Sequence, residues 1–304
     1  MSSLLTLGVT ASTALPPFSL NLLEDAQAML RYDFMRNAFL AGTAVALAAG
    51  FIGYFMLVRQ LAFAGDALSH LTFAGALGAV IIDLNPLVGV FGLTSLVAVA
   101  IGALGDRARA RDEVVGVALA WTLGLGVLFS SIYTATGSAA SSAFGVKILF
   151  GSILGIPASQ AQIAAVMGAG VILVIVLIAR PLLFATLDPE VAAARGVPVR
   201  LLGVGFVLLL AIAVGEAAQV VGALLIFALL MMPAAIALRL TSRPYVGMAL
   251  AALLALIITW AGLTLTFYTS YPASFLISAL AVVSYLVVVA TQRMGRFLAQ
   301  RRVR

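Results

Sequence analysis

The sequence predicts an all-α, polytopic membrane protein of about nine spans. Three observations carry this: 63% of residues are hydrophobic against 9% charged, mean hydropathy is +1.19, and the apolar content runs evenly from Asn37 to Thr291. A soluble domain carries about a quarter charged residues, so most water-soluble enzymes are excluded. The length of 304 residues would suit two soluble domains, but the even distribution argues for one continuous membrane domain. With no cysteine in the chain, disulfides, thiolate metal sites and thiol nucleophiles are excluded. A net charge of +6 and a pI of 10.2 would point to nucleic acid in a soluble chain. In a membrane protein they reflect basic cytoplasmic loops, and no nucleic-acid partner is expected.

Residues 1–36 come first and are too polar to span, with Pro16, Pro17, Glu24, Asp25 and Asp33. About 18–35 is read as a helix lying on the outer membrane surface. A cleaved signal peptide is disfavoured because the first residues carry no positive charge. The membrane domain, 37–292, then divides into apolar runs of spanning length at 37–58, 62–82, 86–105, 113–134, 160–183, 200–217, 219–239, 245–268 and 272–291. Each must satisfy its own backbone hydrogen bonds, which makes it a helix. Between the fourth and fifth spans, the stretch Gly137 to Ser142 leads into an apolar piece, Ile148 to Ile156. Treated as a span, that piece would move Arg195, Arg200 and Arg239 outside, so 144–158 is read as a short re-entrant or interfacial outer helix. Residues 293–304 form a basic tail.

Orientation follows from the arginines. All basic residues except Arg31, Arg36 and Lys147 fall in loops on one side or in the tail. The positive-inside rule makes that side cytoplasmic, with the N-terminus outside and the C-terminus inside. Tyr133, Tyr268 and Tyr271 then lie at the outer interface, where polar-tipped rings are favoured. The expected location is the cell membrane.

Three ionisable groups remain within the spans: Asp66, His70 and Glu216. A carboxylate at the bilayer centre costs at least about 2.5–3.5 kcal/mol, so each is a candidate functional residue. Asp66 and His70 stand at i and i+4, on one helical face and about 6 Å apart along the axis. Carboxylate with imidazole suits Zn²⁺, Mn²⁺ or Fe²⁺ better than Ca²⁺ or Mg²⁺. The plain structural alternative is a polar contact between the two or with a neighbouring helix. His70 is the single histidine of the chain and sits near mid-membrane, which favours the metal. Glu216, about 10 Å higher by helical rise, reads as an upper ligand, an entry-gate residue or an interfacial carboxylate, with Gln219 as a neutral companion. Asp83 and Asn85 read as solvated turn residues. There is no GxxxxGK[ST], GxSxG or HExxH, so neither ATP binding at a Walker site nor hydrolysis is expected in this polypeptide.

Between the fifth and sixth spans lies Leu187-Asp-Pro-Glu-Val-Ala-Ala-Ala-Arg-Gly-Val-Pro-Val-Arg200. Asp188 is a good N-cap, Pro189 fits the first helical position, Glu190 complements the positive helix end and Gly196 terminates the turn. That is an ordinary helical connector, or a short helix across the inner mouth able to transmit a push from a soluble partner.

With Gly65-Asp-Ala-Leu-Ser-His70 and Asn85-Pro86, Asp112-Glu-Val-Val-Gly116, Leu149-Phe-Gly-Ser-Ile-Leu154, Asp188-Pro-Glu with Gly196, and Gln219-Val-Val-Gly222 through Pro233-Ala-Ala235 in this order, the chain resembles the permease subunit of the bacterial zinc and manganese ATP-binding-cassette importers. The resemblance runs from about Asn37 to Ser278. It implies a fold related to the vitamin B12 and siderophore importers, a homodimer, two cytoplasmic ATPase subunits and an external metal-binding protein. It implies Zn²⁺ or Mn²⁺ as cargo, with no permanently bound cofactor. By the same resemblance Asp66 and His70 form the transmembrane metal site; Glu216 and Gln219 are further candidate ligands from their position in the spans alone. Asp188, Pro189, Glu190, Ala194 and Gly196 belong to the ATPase-coupling helix, at about 188–200, and Gly65, Gly222 and Pro233 to structural motifs. The chain departs from the family pattern at Glu216, where many relatives carry an uncharged residue. The alternative function is an ion-coupled secondary transporter with Asp66 and Glu216 as a proton relay.

Overall fold

The computed structural model describes residues 27, 29–104, 108–135, 151–269 and 271–302. Its helices are α1 (Asp33–Val58), α2 (Ala62–Ile81), α3 (Pro86–Leu104), α4 (Ala108–Ala135), α5 (Ala158–Leu187), α6 (Pro189–Ala194), α7 (Val199–Val221), α8 (Ala223–Leu240), α9 (Pro244–Tyr268) and α10 (Ala273–Arg302), with a 3₁₀ turn at Ile153–Gly155. Among the described residues, eight helices are long and apolar enough to cross a membrane; the ninth, α8, contributes a shorter apolar stretch, Leu225–Leu240. The all-helical, polytopic expectation is met. Most of the N-terminal segment and most of 135–158, with Lys147, lie outside the described residues.

Helix α1 is the hub, packing against α5, α7, α8 and α9. Lipid tails are as apolar as leucine, so helices in a bilayer associate through close packing and interhelical polar contacts rather than the hydrophobic effect. The sequence of α1 meets that demand with small residues. A Cβ on Gly50 would collide with the α9 backbone at Ala252, and one on Gly53 with the α8 carbonyl of Leu230. Across the same α1–α9 seam, Trp260 Nε1 donates to Thr43 Oγ1 at 2.9 Å. Helix α2 packs against α3, α4, α7 and α8, and Gly75 meets Gly89 where α2 and α3 touch. Buried hydroxyls bond back to their own helices: Thr72 to the Ser69 carbonyl at 2.6 Å, Thr94 to Val90 at 2.6 Å. These two donors are satisfied within their own helices, whereas the buried Thr259 Oγ1 of α9 has no partner among the described residues.

Several boundaries differ from the sequence reading. The first span begins earlier, at Asp33, where an exposed Asp33–Arg36 ion pair at 3.5 Å closes the first turn. The sixth runs on to Val221, because the chain turns only at Gly222, whose φ of +91° suits glycine alone. Gln219 therefore closes α7 instead of opening the next span. The last helix continues through Arg302, carrying the basic tail as helix. Pro181 and Pro233 sit inside α5 and α8, each removing one backbone donor, which neighbouring helices make tolerable in a membrane bundle.

Replacing Gly53 with alanine forces α1 and α8 apart and should destabilise the bundle by about 1–3 kcal/mol. A lowered melting temperature in fluorescence-detected size-exclusion chromatography would show it, whereas an unchanged profile would contradict the close approach. Gly92, which has open space where its Cβ would point, is the matched control.

Candidate functional site

Helix α2 presents one face to the core through Ala64, Ala67, Leu68 and Leu71 and leaves Asp66 and His70 half-exposed on another. One helical turn brings the two together: His70 Nε2 lies 3.7 Å from Asp66 Oδ1, their side chains 30% and 32% exposed. That is too long for a hydrogen bond and leaves lone pairs on both groups for a shared ligand. Gly65 anchors the turn beneath them. Its Cβ would strike Met56 Sδ at 2.6 Å, and its carbonyl accepts the Ser69 hydroxyl at 2.8 Å.

His70 opens into a cavity of about 540 Å³ between α2 and α4, lined on the α4 side by Thr122, Gly126, Ser130 and Thr134. These recur at four-residue intervals, so they form one stripe of small and hydroxylic positions along an otherwise apolar helix. The sequence reading passed over this stripe, although its i, i+4 spacing was visible.

Glu216 and Gln219 do not join the pair. They line a separate, smaller cavity with Leu87, Phe91 and Gln160. Among the described residues no three of His, Cys, Asp and Glu come together as a metal-binding group. The described residues therefore offer one close pair of such donors, Asp66 and His70, fewer than the four or more a transition metal takes up. Asp83 and Asn85 lie in the exposed α2–α3 turn as expected, where Asn85 Oδ1 accepts from the Leu87 amide at 2.9 Å.

At the arginine-bearing end, the helix expected at about 188–200 forms as α6 but is shorter, Pro189–Ala194, because the chain turns at Gly196 and restarts as α7 at Val199. Asp188 accepts from the Val191 amide at 3.0 Å, Pro189 and Glu190 occupy the first turn, Arg195 caps the C-terminal end after Ala194, and Gly196 comes next with φ +80°. Only Ala192 of α6 is buried. Leu187, Val191 and Leu201 stand exposed around it, at 73%, 44% and 71%. Behind α6, Arg59 at the end of α1 donates to Thr186 Oγ1 at 3.1 Å and lies 5.6 Å above the Phe206 ring. It thereby ties the core helix to both helices that flank α6, inside a cavity of about 460 Å³ that also includes Gln60, Pro189 and Arg200. The sequence reading counted Arg59 only as a loop charge.

Residues 31–292 match the model of the ABC 3 transport family. The manganese transport system membrane protein MntC of Halalkalibacterium halodurans is 32% identical over 77% of this chain and 79% of its own. The manganese import system permease protein ScaB of Streptococcus parasanguinis is also 32% identical, over 70% of this chain and 75% of its own. Among solved structures, a chain of PsaBC from Streptococcus pneumoniae in complex with Fab superposes with a TM-score of 0.75 at 26% identity, covering 88% of this chain and 94% of that one.

Removing the cap by Asp188→Ala should destabilise α6 by about 1 kcal/mol, enough to raise amide exchange across 189–195 about fivefold. Hydrogen–deuterium exchange with mass spectrometry reads this directly, and unaltered rates in that peptide would contradict the capping assignment.

Proposed function

This chain belongs to the ABC 3 transport family, a transport component and not an enzyme, and on that premise we propose that it is the permease subunit of an ATP-driven importer of divalent transition-metal ions. The observation that carries the cargo class is the Asp66/His70 pair, half-exposed on a membrane-embedded helix. The manganese systems named for its relatives favour Mn²⁺, while the donor set also accepts Zn²⁺ or Fe²⁺, for which geometry and supply decide.

Two donors are half of a four-ligand shell. A second copy related by a two-fold axis would present another Asp66/His70 pair, which makes a homodimer the simplest way to complete the site. The apolar surface that α4 leaves exposed, through Val117, Trp121, Val127 and Ile132, is available for such a partner or for lipid. Thr122, Ser130 and Thr134 then line the approach to His70 with hydroxyls able to bond the water shed by an arriving ion.

Energy enters from outside this polypeptide, which has no Walker motif. Cytoplasmic ATPase subunits would dock on α6 and its exposed apolar neighbours, and an external metal-binding protein would deliver the ion. ATP-driven closure of the ATPases moves α6. Because Arg59 links both flanking helices to α1, the push reaches the hub of the bundle. The orientation that places α6 in the cytoplasm is the one the arginines favour. The competing proton relay would need Asp66 and Glu216 to share a route, yet His70 and Glu216 line different cavities.

His70→Ala is expected to reduce ⁵⁴Mn²⁺ uptake into cells or proteoliposomes by more than about tenfold, since loss of a ligand exceeds the 10–100-fold effect of outer-shell changes. Assembly with the ATPase should persist on co-purification, and normal uptake would sink the site. Glu190→Ala or deletion of Gly196 should instead leave metal binding intact while separating ATP hydrolysis from transport. Wild-type coupling ratios in both variants would remove α6 from the mechanism.

A further inference from the structure

Glu216 is used by none of the steps above, yet it is 5% exposed in a helix long and apolar enough to span the membrane. One of its carboxyl oxygens, Oε1, is buried without a hydrogen-bond partner, and the Gly168 backbone lies beside the carboxyl group. A carboxylate oxygen in that position is costly unless a counter-charge or a bound proton meets it, and a cation that binds there must displace that proton. Glu216 lines a cavity of about 90 Å³ between α3, α5 and α7. Gln160, in the first turn of α5, and Gln219, in the last turn of α7, line it too and are exposed. They mark its mouth at the end of the bundle where α7 turns into α8. Gln219 donates through Nε2 to the Gly215 carbonyl at 3.4 Å, which leaves its amide oxygen as the group free to accept. Leu87, Phe91, Ile163 and Met167 wall the remainder, and no lysine, arginine or histidine lines it among the described residues.

We propose that Glu216, Gln160 and Gln219 form a second cation site, separate from the Asp66/His70 pair and taking a small monovalent ion of the Na⁺ class. Three features select that class. One carboxylate balanced by one monovalent charge leaves the site neutral, whereas a divalent ion would strand a positive charge among apolar walls. The donors are a carboxylate and amide oxygens without imidazole, a hard set. The volume equals about three waters at roughly 30 Å³ each, room for an ion that keeps one or two waters but not its full shell. An ion there bridges α5 to α7, so occupancy stiffens the outer half of the bundle regardless of which metal is transported.

The test is equilibrium ²²Na⁺ binding to the purified full-length chain in lipid nanodiscs, with choline chloride holding ionic strength constant. One saturable site per chain is expected, weakened more than about tenfold in Glu216→Gln, the loss typical of a removed ligand interaction. The site should persist in the Asp66→Ala/His70→Ala double variant, so its fate is independent of the metal-import reading. If Glu216→Gln does not fold, the Gln160→Leu/Gln219→Leu double variant decides, because both side chains are exposed and their loss should also weaken binding. Absence of saturable Na⁺ binding overturns the proposal. So does binding unchanged in the variants of Glu216 or of both glutamines, or binding that disappears with Asp66 and His70.

Discussion

The near-contact of the α1 backbone with α8 and α9 is the interaction on which the rest of this structure depends. In a bilayer the helices gain little by hiding apolar surface from one another, so they hold together chiefly where backbones come close enough for dense packing, with interhelical polar contacts such as Trp260–Thr43 added to it. Gly50 and Gly53 make that possible on two sides of one helix. With α1 buried among α5, α7, α8 and α9, the polar groups that the bundle tolerates are pushed to its flanks. His70 on α2 accordingly faces the α4 side, with Asp66 one turn away, and Glu216 the gap between α3, α5 and α7.

This placement separates two electrostatic problems that looked like one in the linear chain. The α2 pair is half-exposed and lies against hydroxyls, a setting in which a hydrated ion can exchange water for protein donors without crossing bare hydrocarbon. The α7 carboxyl is almost fully buried in a cavity too small for a hydrated ion. At the other end of the molecule, α6 is attached to the bundle through Ala192 and its two flanking helices. Its motion is therefore constrained chiefly by what those helices do.

How much of this was legible in the sequence depends on whether the deciding interaction was local. The apolar runs as helices, the α6 cap at Asp188 and the one-face placement of Asp66 and His70 follow from helical rise and turn chemistry within a few residues; the structure has them, with eight helices of spanning length and α8 shorter than the expected span. The separation of Glu216 from His70 was not legible, because height along the membrane normal says nothing about which side of the bundle a helix face addresses. Arg59 was misjudged for the same reason. Its partners Thr186 and Phe206 are far away in the chain, and a lone arginine after an apolar run looks like a boundary marker. The α7 boundary was misplaced by a few residues because hydropathy does not register a positive φ at Gly222.

Gly222 is also the whole of the connection between α7 and α8. A joint made of a single residue stores no slack, so the two helices behave as a folded ruler of fixed arm lengths. An added or missing residue there cannot be absorbed locally. It would rotate every position of one arm by about 100° relative to the other, exchanging core-facing for outward-facing side chains along the whole arm. The one-residue length of the joint at Gly222 is therefore a requirement of this architecture in its own right, beside the identity of the residue that fills it.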